Sequence, residues 1–348
     1  MLRIGLVGVG FMGWIHYLAY ERLSSSCKLA AIVTRDEKKR AGDWTGIQGN
    51  FGPPGRRVDL AGVQTYATLD EALADPAIDL VDLCLPPNLH VSATLAALKA
   101  GKHVFCEKPL ALTAADCEKL VEAAKASGKR LFVGHVLPFF PEYAYALSAA
   151  RDGRFGKALG GSFKRIISDP LWLKDFYDPQ GAGGPLIDLH VHDAHFIRLL
   201  FGMPQSVLSK GRMRGDVVSY CQTFFDYGAG GPVVQAASGV IDQQGRPFTH
   251  GYEIHFEKAT LQFEFAVLAD QNETMAMKVL HADGSVERPT FGGGDEVTAF
   301  EAEIREVERA LAANDASPIL DGDLARDAVK LCEAQTVSVR ENRAVEIR

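Results

Sequence analysis

Residues 188–196 read DLHVHDAHF, three histidines and two aspartates in nine residues. Such a density of ligating and titratable groups suits either a divalent metal or acid/base work. On a strand, alternation puts Asp188, His190 and His192 on one face, the arrangement a metal would use. On a helix, Asp188, His192 and His195 fall at i, i+4 and i+7 and share a stripe, while His190 points away. The continuation FIRLLFG decides the period: Leu189, Phe196 and Leu200 make an apolar side, and Gly202 before Pro204 ends a helix. We therefore read the segment as a helix carrying acid/base machinery, with no metal site. His190 and Asp193 are assigned to structure, and His195 is divided between lining the pocket and a structural place.

A second group of residues binds rather than reacts. Gly8-Val9-Gly10-Phe11-Met12-Gly13 follows a strand pattern, RIGLVG, and opens a helix. In that context the first glycine permits a tight turn, the second lets backbone approach a pyrophosphate, and the third allows helix and strand to pack closely. The helix start then offers unpaired N–H groups to the anion. The end of the second strand selects the dinucleotide, because a carboxylate there bonds the ribose 2′-OH of NAD whereas an Arg accommodates a 2′-phosphate. Here Thr34 takes the place of the acid and Arg35 follows, a lean toward NADP over NAD. Asp36 either reaches the ribose or caps the helix that begins there.

In KHVFCEKPL, Glu107, Lys108 and Pro109 stand at the carboxyl edge of a predicted parallel strand, where open α/β sheets bind their ligands. Oxidising a secondary alcohol requires loss of the hydroxyl proton as hydride leaves for a nicotinamide. A histidine titrating near neutrality and oriented by a carboxylate suits the first task, and a lysine stabilises the developing alkoxide. Upstream, WLKDFYDPQGAGG at 172–184 reads as a substrate-side loop in which Trp172 either stacks on a sugar or anchors the core.

GVGFMG, PPNLH at 86–90, GKHVFCEKPL at 101–110 and GGPLIDLHVHDAHFIRLLFG at 183–202 occur in an order and spacing that resemble the Gfo/Idh/MocA family of oxidoreductases, and GGGDEVTAFEAEI near the C-terminus looks like that family's closing helix. The resemblance implies a Rossmann domain followed by an α/β domain with an open antiparallel sheet, and substrates that are sugars, cyclitols or related polyols. It implies that Lys108 is the catalytic lysine, with Glu107 beside the nicotinamide ribose and a cis bond before Pro109. It also implies that Asp188 and His192 are the family's Asp-x-x-x-His pair, that Pro86, Asn88 and His90 lie on the cofactor side, and that the chain forms a homodimer or homotetramer. Leu85 and Pro138 depart from the family's usual Thr and Arg.

These residues need a scaffold. From residue 1 to about 136, short apolar runs (RIGLVG, KLAAIVT, DLVDLCL, KHVFCE, RLFVGH) alternate with helical periodicity at 88–100 and 113–127, and Gly101 and Gly128 sit where helix C-caps belong. That is a doubly wound parallel sheet, the dinucleotide-binding domain. Residues 137–348 carry β-type runs at 158–168 and 204–290, then helical segments at 296–313 and 321–341, a substrate-binding and oligomerisation domain of α+β type with a large open, mainly antiparallel sheet.

At 348 residues two domains are expected, and 47% hydrophobic with 23% charged residues is an ordinary globular composition. The formal charge of −7 opposes phosphate-backbone binding, which excludes nucleic acid. Six cysteines without a C-x-x-C pair point to a reducing, cytoplasmic setting, and no run approaches a membrane span. Three other functions compete with an NAD(P)-dependent oxidoreductase: a redox-neutral sugar enzyme using tightly held NAD(H), a metal-dependent hydrolase, and a dinucleotide sensor.

Overall fold

The computed structural model describes residues 1–347, which form two compact units. The first comprises residues 1–111, 115–139 and 293–326; the second comprises 112–114, 140–292 and, among the described residues, 327–347. The division after 139 lies close to the expected one at 136, but residues 293–326 return to the first unit, whereas the sequence reading gave everything after 136 to the second. The cause is helix α8 (Val297–Ala313), whose apolar face of Val297, Phe300, Ile304 and Val307 is buried in that unit.

The first unit is built on six parallel strands: β1 (Leu2–Val7), β2 (Cys27–Val33), β3 (Gln64–Tyr66), β4 (Leu80–Leu83), β5 (His103–Glu107) and β6 (Leu131–Gly134), in the order β3-β2-β1-β4-β5-β6. Five match the apolar runs of the sequence, because strands covered on both faces read as continuous Val/Ile/Leu stretches. The sixth, β3, is three half-polar residues at the sheet edge and carries no such signal. Helices α1 (Phe11–Arg22), α2 (Glu37–Arg40), α3 (Leu69–Leu73), α4 (Pro87–Lys99) and α5 (Ala114–Ser127) connect them. Gly101 and Gly128 follow α4 and α5 with φ of 74° and 66°, a left-handed geometry that ends a helix at no Cβ cost.

The second unit carries α6 (Pro141–Asp152), β7 (Ala158–Ser168), α7 (Val191–Phe201), β8 (Ser206–Arg214), β9 (Val217–Asp226), β10 (Val233–Ile241), β11 (Phe248–Phe256), β12 (Ala259–Val267), β13 (Asn272–His281), β14 (Val286–Glu287), α9 (Gly322–Glu341) from residue 327 onward and β15 (Val345–Glu346). Its nine-stranded sheet runs β14-β13-β12-β11-β7-β10-β9-β8-β15, antiparallel throughout except that β7 and β10 pair in parallel. The fold class is therefore the expected one, a Rossmann sheet followed by a mostly antiparallel mixed sheet. Among the described residues no helix is long and apolar enough to cross a membrane.

Candidate functional site

In the first unit the chain order reverses between β1 and β4, the switch point at which open α/β sheets bind ligands at the strands' carboxyl ends. The glycine loop follows β1 there, Pro86 and Asn88 stand exposed after β4, and Lys108 follows β5. Gly8 has φ of 94°, and a Cβ on it would lie 2.3 Å from the Cys84 carbonyl oxygen. At Gly13 a Cβ would lie 2.0 Å from the Gly8 carbonyl oxygen, the close helix–strand approach expected of the third glycine. Gly10 differs: it is the N-cap of α1, no side chain caps it, and nothing stands within 4 Å of where its Cβ would be. The loop thus presents open backbone at a helix start, the fit a pyrophosphate requires. Phe11 and Met12, both half-buried, begin the helix.

At the end of β2, Asp36 Oδ1 accepts the Lys38 and Lys39 backbone N–H groups at 2.9 and 3.3 Å, so it serves as the cap of α2. Thr34 is held by its backbone, its N–H donating to Tyr66 and its carbonyl accepting from Arg40, while Arg35 is exposed. Lys39 Nζ donates to the Val9 carbonyl at 2.7 Å, placing a cation on the glycine loop that spacing alone did not reveal.

The Lys108–Pro109 bond is cis, and Lys108 is half-buried. Glu107 turns inward: one carboxylate oxygen lies 3.0 Å from His16 Nε2 and the other accepts the Lys108 backbone N–H at 3.1 Å. His90, expected on the cofactor side, is wholly buried. Its ring nitrogens lie 2.7 and 2.8 Å from the Pro109 and Leu85 carbonyl oxygens, so it ties the turn after β4 to the turn after β5 instead of reaching a ligand. Burial lowers its pKa from the usual 6.5.

In the second unit the DLHVHDAHF segment is helical, as its period indicates, but it begins with a π turn over Leu186–His190 before α7. A π turn is wider than an α turn and rotates whatever follows it. Asp188 and His192 remain partly exposed, whereas His190, Asp193 and His195 are buried. The shared stripe therefore extends over Asp188 and His192 only. His195, with no exposed surface, cannot line a pocket in this conformation, which corrects that expectation.

His190 and Asp193 are structural, as assigned. His190 Nε2 accepts from the Gln335 amide on α9 at 2.9 Å, and burial pushes its imidazole down to about 4. It is thus held neutral beside α9 and does not join His192 around an ion. Asp193 pairs with Arg165 of β7. Trp172 lies 67% exposed on the loop before the π turn, which removes the core-anchor alternative.

Residues 2–135 match the family model described as oxidoreductase family, NAD-binding Rossmann fold, and residues 143–262 match that of the GFO/IDH/MocA C-terminal domain. The chain belongs to the Gfo/Idh/MocA oxidoreductase family. Within that family it is 29% identical to an inositol 2-dehydrogenase of Rhizobium meliloti (strain 1021) over 99% of both chains. It is 30% identical to a 1,5-anhydro-D-fructose reductase of Ensifer adhaerens over 57% of this chain and 60% of that protein, so the chain spans under two thirds of that relative's length. The fold is that of a levoglucosan dehydrogenase solved in complex with NADH and levoglucosan, with a TM-score of 0.78 at 21% identity over 99% of each chain.

Sequence reasoning missed three buried polar residues around Glu107: His16, Asp82 and Glu303. His16 gave a signal that was overlooked, a histidine one turn past the third glycine on the face of α1 that packs on the sheet. Glu303 gave none, since a Glu inside an amphipathic helix reads as solvated.

Proposed function

We propose that this protein is an NAD(P)-dependent oxidoreductase that transfers a hydride between a nicotinamide cofactor and a secondary alcohol of a sugar, cyclitol or related polyol. The observation that carries the reading is the glycine loop at the switch point, where Gly8 and Gly13 are closed by backbone and Gly10 is open. The names of the dehydrogenase and reductase relatives support the substrate class.

A bound nicotinamide supplies the hydride acceptor. The protein's own residues handle the hydroxyl proton and the charge it leaves. Lys108 provides a cation for the developing alkoxide and shares proton transfer with His192, whose ring nitrogen accepts the proton. Asp188 orients that ring or hydrogen-bonds the sugar, and Trp172 offers its exposed face to a sugar ring. We assign NADP over NAD as the preferred cofactor, because Asp36 is committed to the α2 cap while Arg35 is exposed and Lys39 sits on the glycine loop. A reducing cytoplasm suits six cysteines that form no disulfide, and a homodimer or homotetramer follows the family pattern.

The test is a panel of sugars and polyols screened with NAD and with NADP, followed through nicotinamide absorbance. A substrate is expected for the wild type, with NADP giving the higher kcat/KM. Lys108→Ala is expected to lose turnover by roughly three orders of magnitude while dinucleotide affinity stays within about threefold. Undiminished turnover in that variant would sink the scheme.

A further inference from the structure

Beneath the EKP turn lies a polar cluster that the reaction scheme does not use. His16 of α1 is wholly buried, with Nδ1 at 2.7 Å from Asp82 Oδ2 and Nε2 at 3.0 Å from Glu107 Oε1. Asp82 on β4 also accepts the Tyr20 hydroxyl at 2.7 Å, and the Cys84 thiol stands 3.5 Å from His16 Nδ1. Phe105 of β5 stacks on the His16 ring at 5.4 Å, and Phe300 of α8 closes another side at 5.8 Å. From α8 the buried Glu303 acts electrostatically on the same groups, and neither of its oxygens has a hydrogen-bond partner among the described residues.

With Asp82 and Glu107 both ionised, each carboxylate only accepts, so the ring between them donates from both nitrogens. His16 is therefore an imidazolium. Burial opposes that charge, but the charge and hydrogen bond of Asp82 outweigh it and hold the histidine well above its usual 6.5. Burial and then the Glu107 charge raise the Glu303 carboxyl well above its usual range, so it carries a proton. The cluster then holds one cation and two carboxylates, with Glu107 engaged on both oxygens.

We propose that His16 is a positioning residue of the EKP turn: held between Asp82 and Glu107, it fixes the Glu107 carboxylate, which in turn fixes the Lys108 backbone N–H. The chain of contacts is His16 Nε2 to Glu107 Oε1, then Glu107 Oε2 to the Lys108 N–H. The imidazolium has a second consequence. It offsets the Glu107 charge beside the Lys108 backbone N–H. The kinetic part of the proposal rests on the dehydrogenase reading above, whereas the charge state of His16 does not.

Two measurements test it. In 15N-histidine-labelled wild-type protein, NMR is expected to show one ring with both nitrogens protonated from about pH 6 to about pH 9, its resonance missing in His16→Gln. Titration of that ring through the normal histidine range, a neutral tautomer at pH ~8, or stoichiometric metal in the purified protein would overturn the proposal. In steady-state kinetics His16→Gln is expected to lower kcat on the order of 10- to 100-fold, to leave the dinucleotide KM within about threefold, and to shift the acid limb of the kcat profile to higher pH. An unmoved profile with unchanged kcat would overturn it equally. Should the variant not fold, the wild-type NMR measurement decides. Should the wild type turn over no polyol, the functional reading falls while the NMR result still judges His16.

Discussion

Arg165 and Asp193 form a two-pronged ion pair inside the second unit, Nε to Oδ2 at 2.7 Å and Nη2 to Oδ1 at 3.2 Å, with both residues buried. One partner comes from the centre of β7 and the other from the first turn of α7, so the pair holds the helix bearing Asp188 and His192 to the sheet. A buried pair of this kind adds little over an apolar pair, but breaking it strands a charge. Asp193→Ala is therefore expected to cost about 3–5 kcal/mol in urea unfolding, whereas the partly exposed Asp188→Ala should stay within about 1 kcal/mol. Equal stability losses in the two variants would remove the distinction drawn between the motif's two aspartates.

The glycine loop separates folding from binding at single-residue resolution. A Cβ at Gly13 meets the Gly8 carbonyl oxygen at 2.0 Å, so Gly13→Ala forces backbone apart; a Cβ at Gly10 meets nothing within 4 Å. Gly10→Ala is expected to melt within a few degrees of wild type yet bind dinucleotide at least about tenfold more weakly, because the methyl fills the approach to the backbone. Calorimetric titration paired with thermal melting checks both. Unchanged dinucleotide affinity in Gly10→Ala would place the phosphates elsewhere.

Glu303 predicts an alkaline loss of stability. Its folded-state pKa is raised well above the usual 4.5 by burial and by Glu107, so the folded protein keeps a proton that the unfolded chain releases. The sign follows: the contribution is full below the unfolded pKa and is lost as pH rises toward the folded one. Glu303→Gln, which mimics the protonated acid, is expected to match wild type near pH ~4 and to exceed it by about 1–3 kcal/mol near pH ~8. Parallel stability curves for the two proteins across that range would show that Glu303 is ionised in the fold.

The dinucleotide half was readable because its strands are buried on both faces and so write themselves as apolar runs, and because Gly8 and Gly13 are required by backbone approaches that no other residue survives. The helical phase of DLHVHDAHF was readable for a similar reason, its apolar side continuing into Phe196. The π turn was not, since residues 186–190 are compatible with either turn width and only packing on β9 and β10 selects the wider one. After that turn His195 lies in the core, whereas Asp188 and His192 are partly exposed.

Local pattern by itself determined which segments are strands and helices, where the glycine loop turns, and which residue types gather at the carboxyl ends of strands. Long-range contacts alone decided the partners: His16 with Glu107 across 91 residues of chain, Arg165 with Asp193, and the return of α8 to the first unit. The reason is physical. A hydrophobic period constrains residues three or four apart, whereas a buried charge is silent in sequence until the fold chooses the group that neutralises it.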